Sequence, residues 1–246
     1  MPTAIVNGLT HYFVDEGAGE PLVLLHGAAS SGESLKDNYL TLSEEFRVIV
    51  PDLRGMGGSA HVNEIPPGGW VDDLLKLLDY LKIPKANFYG TSLGSRIALR
   101  FALDHPHRTS SVIMDAPIIA NDPSGDESLN RNFDPGTFSS DRKALARSQH
   151  GDDWEQVMNN FLLIRNDLDL QEFYNLRDLC QSIGSRVLIM RGDVDDPVHP
   201  LSHSFELHAK IGDSTLAIIP ACPSGVGRGN PKAMRSLISE FVFGNG

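Results

Sequence analysis

Residues 90–94 read Gly-Thr-Ser-Leu-Gly, a serine with a glycine two positions away on each side. A serine hydroxyl is a weak nucleophile at neutral pH and becomes a useful one only beside a base that accepts its proton. The glycines serve its exposure: where a strand turns sharply into a helix, side chains at those two positions would collide. The run 86–90 (ANFYG) predicts the strand and 95–103 the helix, so Ser92 falls at the bend. There the unpaired N–H groups and the dipole of the helix start favour a developing negative charge. The competing reading of Ser92 is a plain helix N-cap.

The elements that would position this serine alternate. Short strands at 3–7 and 11–14 flank the turn pair Asn7-Gly8, a hairpin signal. Buried strands are expected at 21–27, 47–53, 86–90, 111–117, 186–192 and 215–220. Helices are expected over 33–46, 70–81, 95–103, 201–210 and 231–243, with Val71, Leu74, Leu75, Leu77, Leu78 and Leu81 forming one stripe. This alternation predicts an α/β fold with a mostly parallel, doubly wound sheet. Residues 118–182 break it. They open on turn formers and acids and continue into helical patterns near 140–148, 153–165 and 168–180. The expected organisation is a core of 1–117 and 183–246, with 118–182 a helical cap over the carboxyl ends of the strands. Phe133, Phe138, Trp154, Phe161 and Phe173 would line a pocket or hold that cap down.

Composition narrows the partners. With 21 basic and 32 acidic residues the net charge is −11, which argues against nucleic acid or an anionic membrane as partner. The expected partner is a small-molecule substrate or ligand. No apolar run approaches the roughly 20 residues that span a bilayer, and MPTAIVNG has no signal-peptide pattern, so a cytoplasmic protein is expected. Cys180 and Cys222 read as free thiols. The histidines lack metal-ligand spacing, and no nucleotide-binding fingerprint occurs, so neither metal nor other cofactor is expected.

Five blocks in order, VNGLTHYFVDEG, PLVLLHGAASS, PDLRGMGGS, YGTSLGSRIALRFALDHP and RVLIMRGDVDDPVHP, resemble the α/β-hydrolase superfamily. The nearest branch is that of small capped hydrolases: esterases, enol-lactonases and carbon–carbon bond hydrolases. The resemblance runs from Val6 to Phe243 and implies the α/β-hydrolase fold with Ser92 as nucleophile. It implies an oxyanion hole from the backbone N–H groups of Ala28 and Leu93, and it makes His26, Arg54-Gly55 and Gly57-Gly58 structural. The acid would follow the strand at 186–192: the Asp-then-Pro pattern favours Asp196, while spacing from Gly192 favours Asp195.

The family's histidine should follow the last strand. Here that stretch is IIPACPSGVGRGNPKAM, with Ser224 near the histidine's place and no histidine beyond His208. Among His61, His150, His199, His203 and His208 the best stand-in is His199, three residues past Asp196, although the ordinary reading of such a histidine is a surface loop residue. The glycine-rich PSGVGRGN looks too loose to hold an imidazole. Two functions follow: a serine hydrolase of a small ester, lactone or related carbonyl compound, or an impaired pseudo-hydrolase that binds a small molecule or protein.

Overall fold

Asn7 and Gly8 both take positive φ (50° and 77°), the left-handed pair of a tight hairpin, and join β1 (Thr3–Val6) to β2 (Leu9–Glu16). The computed structural model describes residues 2–244. Next come β3 (Glu20–Leu25), β4 (Phe46–Pro51), β5 (Ala86–Thr91), β6 (Thr109–Asp115), β7 (Arg186–Gly192) and β8 (Ser214–Ile219). They form a single sheet in the order β1-β2-β4-β3-β5-β6-β7-β8. Pairing is antiparallel for β1–β2 and β2–β4 and parallel elsewhere.

The apolar runs behave as buried parallel strands should: Leu22, Val23, Leu24 and Leu25 are all at most 1% exposed, so both faces are covered. On one face pack α2 (Gly69–Tyr80), α3 (Leu93–Asp104) and α8 (Leu201–Lys210). On the other pack α1 (Lys36–Leu42) and α10 (Pro231–Phe243). The helix expected over 33–46 is split. A tight 3-10 turn at Gly32–Leu35 precedes α1, because Asp52 at the end of β4 takes the Gly32 N–H at 2.6 Å and anchors that first turn.

Between β6 and β7 run α4 (Asp126–Phe133), α5 (Ser140–His150), α6 (Trp154–Arg165) and α7 (Leu168–Phe173). The sequence reading has no helix at α4. Its first turn carries Asp126 and Glu127, which suit the positive helix end, and Asp126 pairs with Arg165 of α6. Conversely, the helix expected over 168–180 stops at Phe173. The chain leaves it because the Tyr174 carbonyl is taken by Arg96 and the Leu176 N–H donates to Ile119 O. No helix among the described residues is long and apolar enough to cross a membrane, and none of their His, Cys, Asp and Glu clusters could hold a metal ion. Both cysteines are free and buried.

His150 ties the helical segment to the sheet. Its Nδ1 accepts the Gly57 N–H at 2.9 Å, which leaves the proton on Nε2, facing Ala29 O at 3.2 Å. Burial pulls its pKa down to about 4, so it binds a proton more readily unfolded than folded. Stability from this residue is therefore present above the unfolded value and lost as pH falls toward the folded one. Denaturant melts of wild type and His150→Gln should differ in pH dependence by about 2 kcal/mol between pH 7 and 5. Parallel curves would show that the clamp carries no such linkage.

Candidate active site

Ser92 sits between β5 and α3 at φ 53° and ψ −116°, a conformation an L-residue adopts only when its surroundings impose it. Its N–H is fixed to Asp115 O at 3.0 Å. The flanking glycines are explained by backbone contacts. A Cβ on Gly90 would run into the Gly94 carbonyl, and one on Gly94 would strike the carbonyls of Leu25 and His26. The collision at Gly94 is thus with the end of β3, beyond the turn itself.

Opposite the Ser92 hydroxyl stands His199. Its Nε2 lies 2.9 Å from Ser92 Oγ, and its Nδ1 lies 2.8 Å from Asp196 Oδ2. The expectation of a surface loop histidine is overturned: the side chain is only 17% exposed. Local geometry brings acid and base together. Asp196 caps a tight turn, taking the Val198 N–H on Oδ1 at 2.9 Å while its carbonyl accepts the His199 N–H at 3.1 Å. That turn points the side chains at i and i+3 the same way. Burial pushes the Asp196 pKa up, but hydrogen bonds from His199, Ser224 and Val198 outweigh it and hold the carboxyl well below the usual range. An ionised carboxylate on Nδ1 keeps the proton there and leaves Nε2 free to accept one. Asp195 is exposed, its carboxylate turned back on the Asp196 N–H at 3.0 Å.

The loop that carries the pair is stapled from beneath. Arg191, in β7 and fully buried, donates from Nε and Nη2 to His199 O (3.2 and 2.7 Å) and from Nη1 to the carbonyls of Val194 and Gly192. Ser224, where the family's histidine would stand, donates to Asp196 Oδ2 at 2.6 Å, the same oxygen His199 uses. The glycine-rich segment around it is not loose. It forms a helical turn, α9 (Val226–Gly229), whose Val226 and Gly227 N–H groups are held by the buried Asp115 at 2.7 and 2.8 Å.

Ser92 opens on a cavity of about 90 Å³ also lined by Ala28 and Leu93. Leu93 is the first residue of α3, so its N–H has no acceptor within the helix. His26 is fully buried and accepts the Leu53 N–H at 3.0 Å on Nε2, a structural role. Arg54 pairs with Asp73 at 2.5 Å. His61, His150, His203 and His208 contact other groups, away from Ser92. Cys222 is a buried packing residue.

The alpha/beta hydrolase fold family model matches residues 20–170, well over half the chain. The chain belongs to the alpha/beta hydrolase family. It is 34% identical over 116 residues to the 2-hydroxy-6-oxo-2,4-heptadienoate hydrolase of Pseudomonas putida, a match spanning 45% of this chain and 42% of that protein. A longer match, 26% identical, spans 96% of this chain and 93% of the 2-hydroxy-6-oxononadienedioate/2-hydroxy-6-oxononatrienedioate hydrolase of Comamonas testosteroni. The enol-lactonase structure from Burkholderia xenovorans superposes with a TM-score of 0.79 at 20% identity, covering 98% of this chain and 100% of that one, a likeness of fold. The imidazole beside Ser92 comes from the loop after β7, whereas the sequence resemblance placed one in the loop after β8.

Sequence reasoning singles out Ser92, Asp196, Ala28 and Leu93, and the structure places all four around one cavity or one hydrogen-bonded chain. It passes over Arg191, which reads as a strand residue. For His199 the available signal was the Asp-Pro-Val-His spacing. Of the aromatic residues expected to line a pocket, only Phe161 does so. Phe138 stacks on Trp154 at 5.8 Å, and Phe173 lies under Arg100.

Proposed function

We propose that the protein is a serine hydrolase of small esters, lactones or related carbonyl compounds, working through Ser92, His199 and Asp196. The observation that carries this reading is the unbroken path Ser92 Oγ–His199 Nε2, His199 Nδ1–Asp196 Oδ2, at 2.9 and 2.8 Å. His199 Nε2 takes the hydroxyl proton as Ser92 Oγ bonds to the substrate carbonyl carbon. The carbonyl π pair moves to oxygen, where the Ala28 and Leu93 N–H groups receive it. Collapse breaks the bond to the leaving group, which departs with the proton from His199. A water molecule then gives its proton to His199 and attacks the acyl carbon. Ser92 recovers that proton and the acid is released. Asp196 stays ionised throughout and holds the imidazole in the productive tautomer.

The segment 118–182 acts as the cap in this reading: Ile118, Leu129, Phe161, Leu170 and Tyr174 from it face Ser92 across the cavity. The missing histidine after β8 argued for a non-catalytic binder, and that argument loses its force once a second imidazole lies within hydrogen-bond reach of the hydroxyl. A fluorophosphonate probe should label wild type on one site and leave Ser92→Ala unlabelled, with 4-nitrophenyl acetate turned over only by wild type. Absence of both labelling and turnover in a folded wild-type sample would refute the assignment.

A further inference from the structure

Arg96 lies four residues after Ser92, one helical turn along α3, and lines the same cavity. It is 8% exposed and takes part in no ion pair among the described residues. Its guanidinium is held by neutral acceptors alone. Nε and Nη2 donate to Tyr174 O at 3.0 and 2.5 Å, and Nη1 donates to Asn121 Oδ1 at 2.8 Å. Those bonds use three of the five N–H groups a guanidinium carries. Burial without a counter-charge pulls its pKa down to about 10, so it remains a cation at neutral pH.

A second residue that lines the cavity carries an unmatched group. Tyr174 is 2% exposed and its hydroxyl has no hydrogen-bond partner among the described residues. Burial pushes its pKa far up, so it stays a neutral donor. A buried charge without a counter-ion and a buried hydroxyl without an acceptor are each destabilising to the empty protein. Both are met by one ligand feature, an anionic group with acceptor oxygens. The other walls are mostly apolar, formed by residues such as Trp70, Ile118, Leu129, Phe161 and Ile164. A doubly charged phosphate would leave more charge unmatched there than a carboxylate.

We infer that Arg96 and Tyr174 form a carboxylate-receiving subsite beside Ser92, so that the substrate is an acyl compound carrying a carboxylate a few bonds from its scissile carbonyl. This rests on the hydrolase reading of Ser92 but adds to it the charge of the substrate.

The test compares 4-nitrophenyl hemiglutarate with neutral 4-nitrophenyl butyrate in wild type, Arg96→Gln and Tyr174→Phe. Tyr174→Phe keeps the ring and the carbonyl that Arg96 holds, so it guards against misfolding of the arginine variant. Wild type should favour the anionic ester, and the ratio of kcat/KM, anionic over neutral, should fall about 10–100-fold in either variant, mainly through KM. Equal rates for the two esters in wild type, or variants that slow both equally, would overturn the subsite. If wild type neither hydrolyses ester nor takes the fluorophosphonate label, the hydrolase reading fails instead. Calorimetric titration with glutarate then decides the subsite: saturable binding weakened by Tyr174→Phe supports it, and no binding overturns it.

Discussion

Alanine at His199 should lower kcat for an activated ester by about 10³–10⁴ while leaving the thermal unfolding transition within a few degrees of wild type. The imidazole is the only base within hydrogen-bond distance of Ser92 Oγ among the described residues, at 2.9 Å. Without it the hydroxyl must lose its proton to water, and what survives is the contribution of the oxyanion donors and binding. Because serine and base act as one unit, Ser92→Ala with His199→Ala should cost no more than the worse single change. Alanine at His208, which reaches Ser214 on the exposed side of α8, should change kcat by less than about twofold and serves as the control. A loss under tenfold for His199→Ala would show that the proton leaves Ser92 by another route.

In the proposed mechanism base and acid stand three residues apart on one loop. In this chain Asp196 Oδ2 is shared by His199 Nδ1 and Ser224 Oγ, so the place facing the β8 loop is filled by a hydroxyl donor. The acid thereby receives two donors on one oxygen and the Val198 N–H on the other. Each keeps it charged and fixed. The imidazole depends on the scaffold of that loop, and here Arg191 matters. An i, i+3 pair on a short turn is held only as well as the turn itself. The two donations from Arg191 to the His199 carbonyl fix its far end, and those to Gly192 and Val194 fix its start.

Periodicity and motif order made the sheet, the bend at Ser92 and the acid loop legible, because each is a local pattern: apolar runs, paired glycines, Asp followed by Pro. The boundaries that failed were set by long-range contacts. The helix at α7 ends where Arg96, some 78 positions away in sequence, takes the Tyr174 carbonyl. The rigidity of the glycine-rich segment comes from Asp115, about 110 positions earlier. His199 fell between the two cases. Its spacing from Asp196 was visible, but its approach to Ser92 depends on the Arg191 staple, and a buried arginine in an apolar strand announces no partner.

Asparagine at Asp196 should cost about 10⁴ in kcat, more than its loss of charge alone would suggest. The Val198 N–H, on one side, demands an acceptor, so the amide oxygen must stay there. The NH₂ group then faces His199 Nδ1 and Ser224. A donor against Nδ1 forces the proton to Nε2, the atom that must accept from Ser92, and the imidazole sits in the unproductive tautomer. Ser224 can rotate to accept, so the fold is kept. Since hydrogen bonding holds Asp196 well below the ordinary carboxylate range, wild type keeps this charge as pH falls to about 4, and its stabilising contribution disappears only below that. Two measurements follow: kcat of Asp196→Asn at neutral pH, and acid unfolding of both proteins. Asp196→Asn should lack the part of the wild-type stability loss that occurs below about pH 4. Retention of more than a tenth of wild-type kcat would place the orienting carboxylate elsewhere. In that event Asp115, whose burial raises its pKa and whose oxygens are already taken by Tyr89, Val226 and Gly227, is a poor substitute.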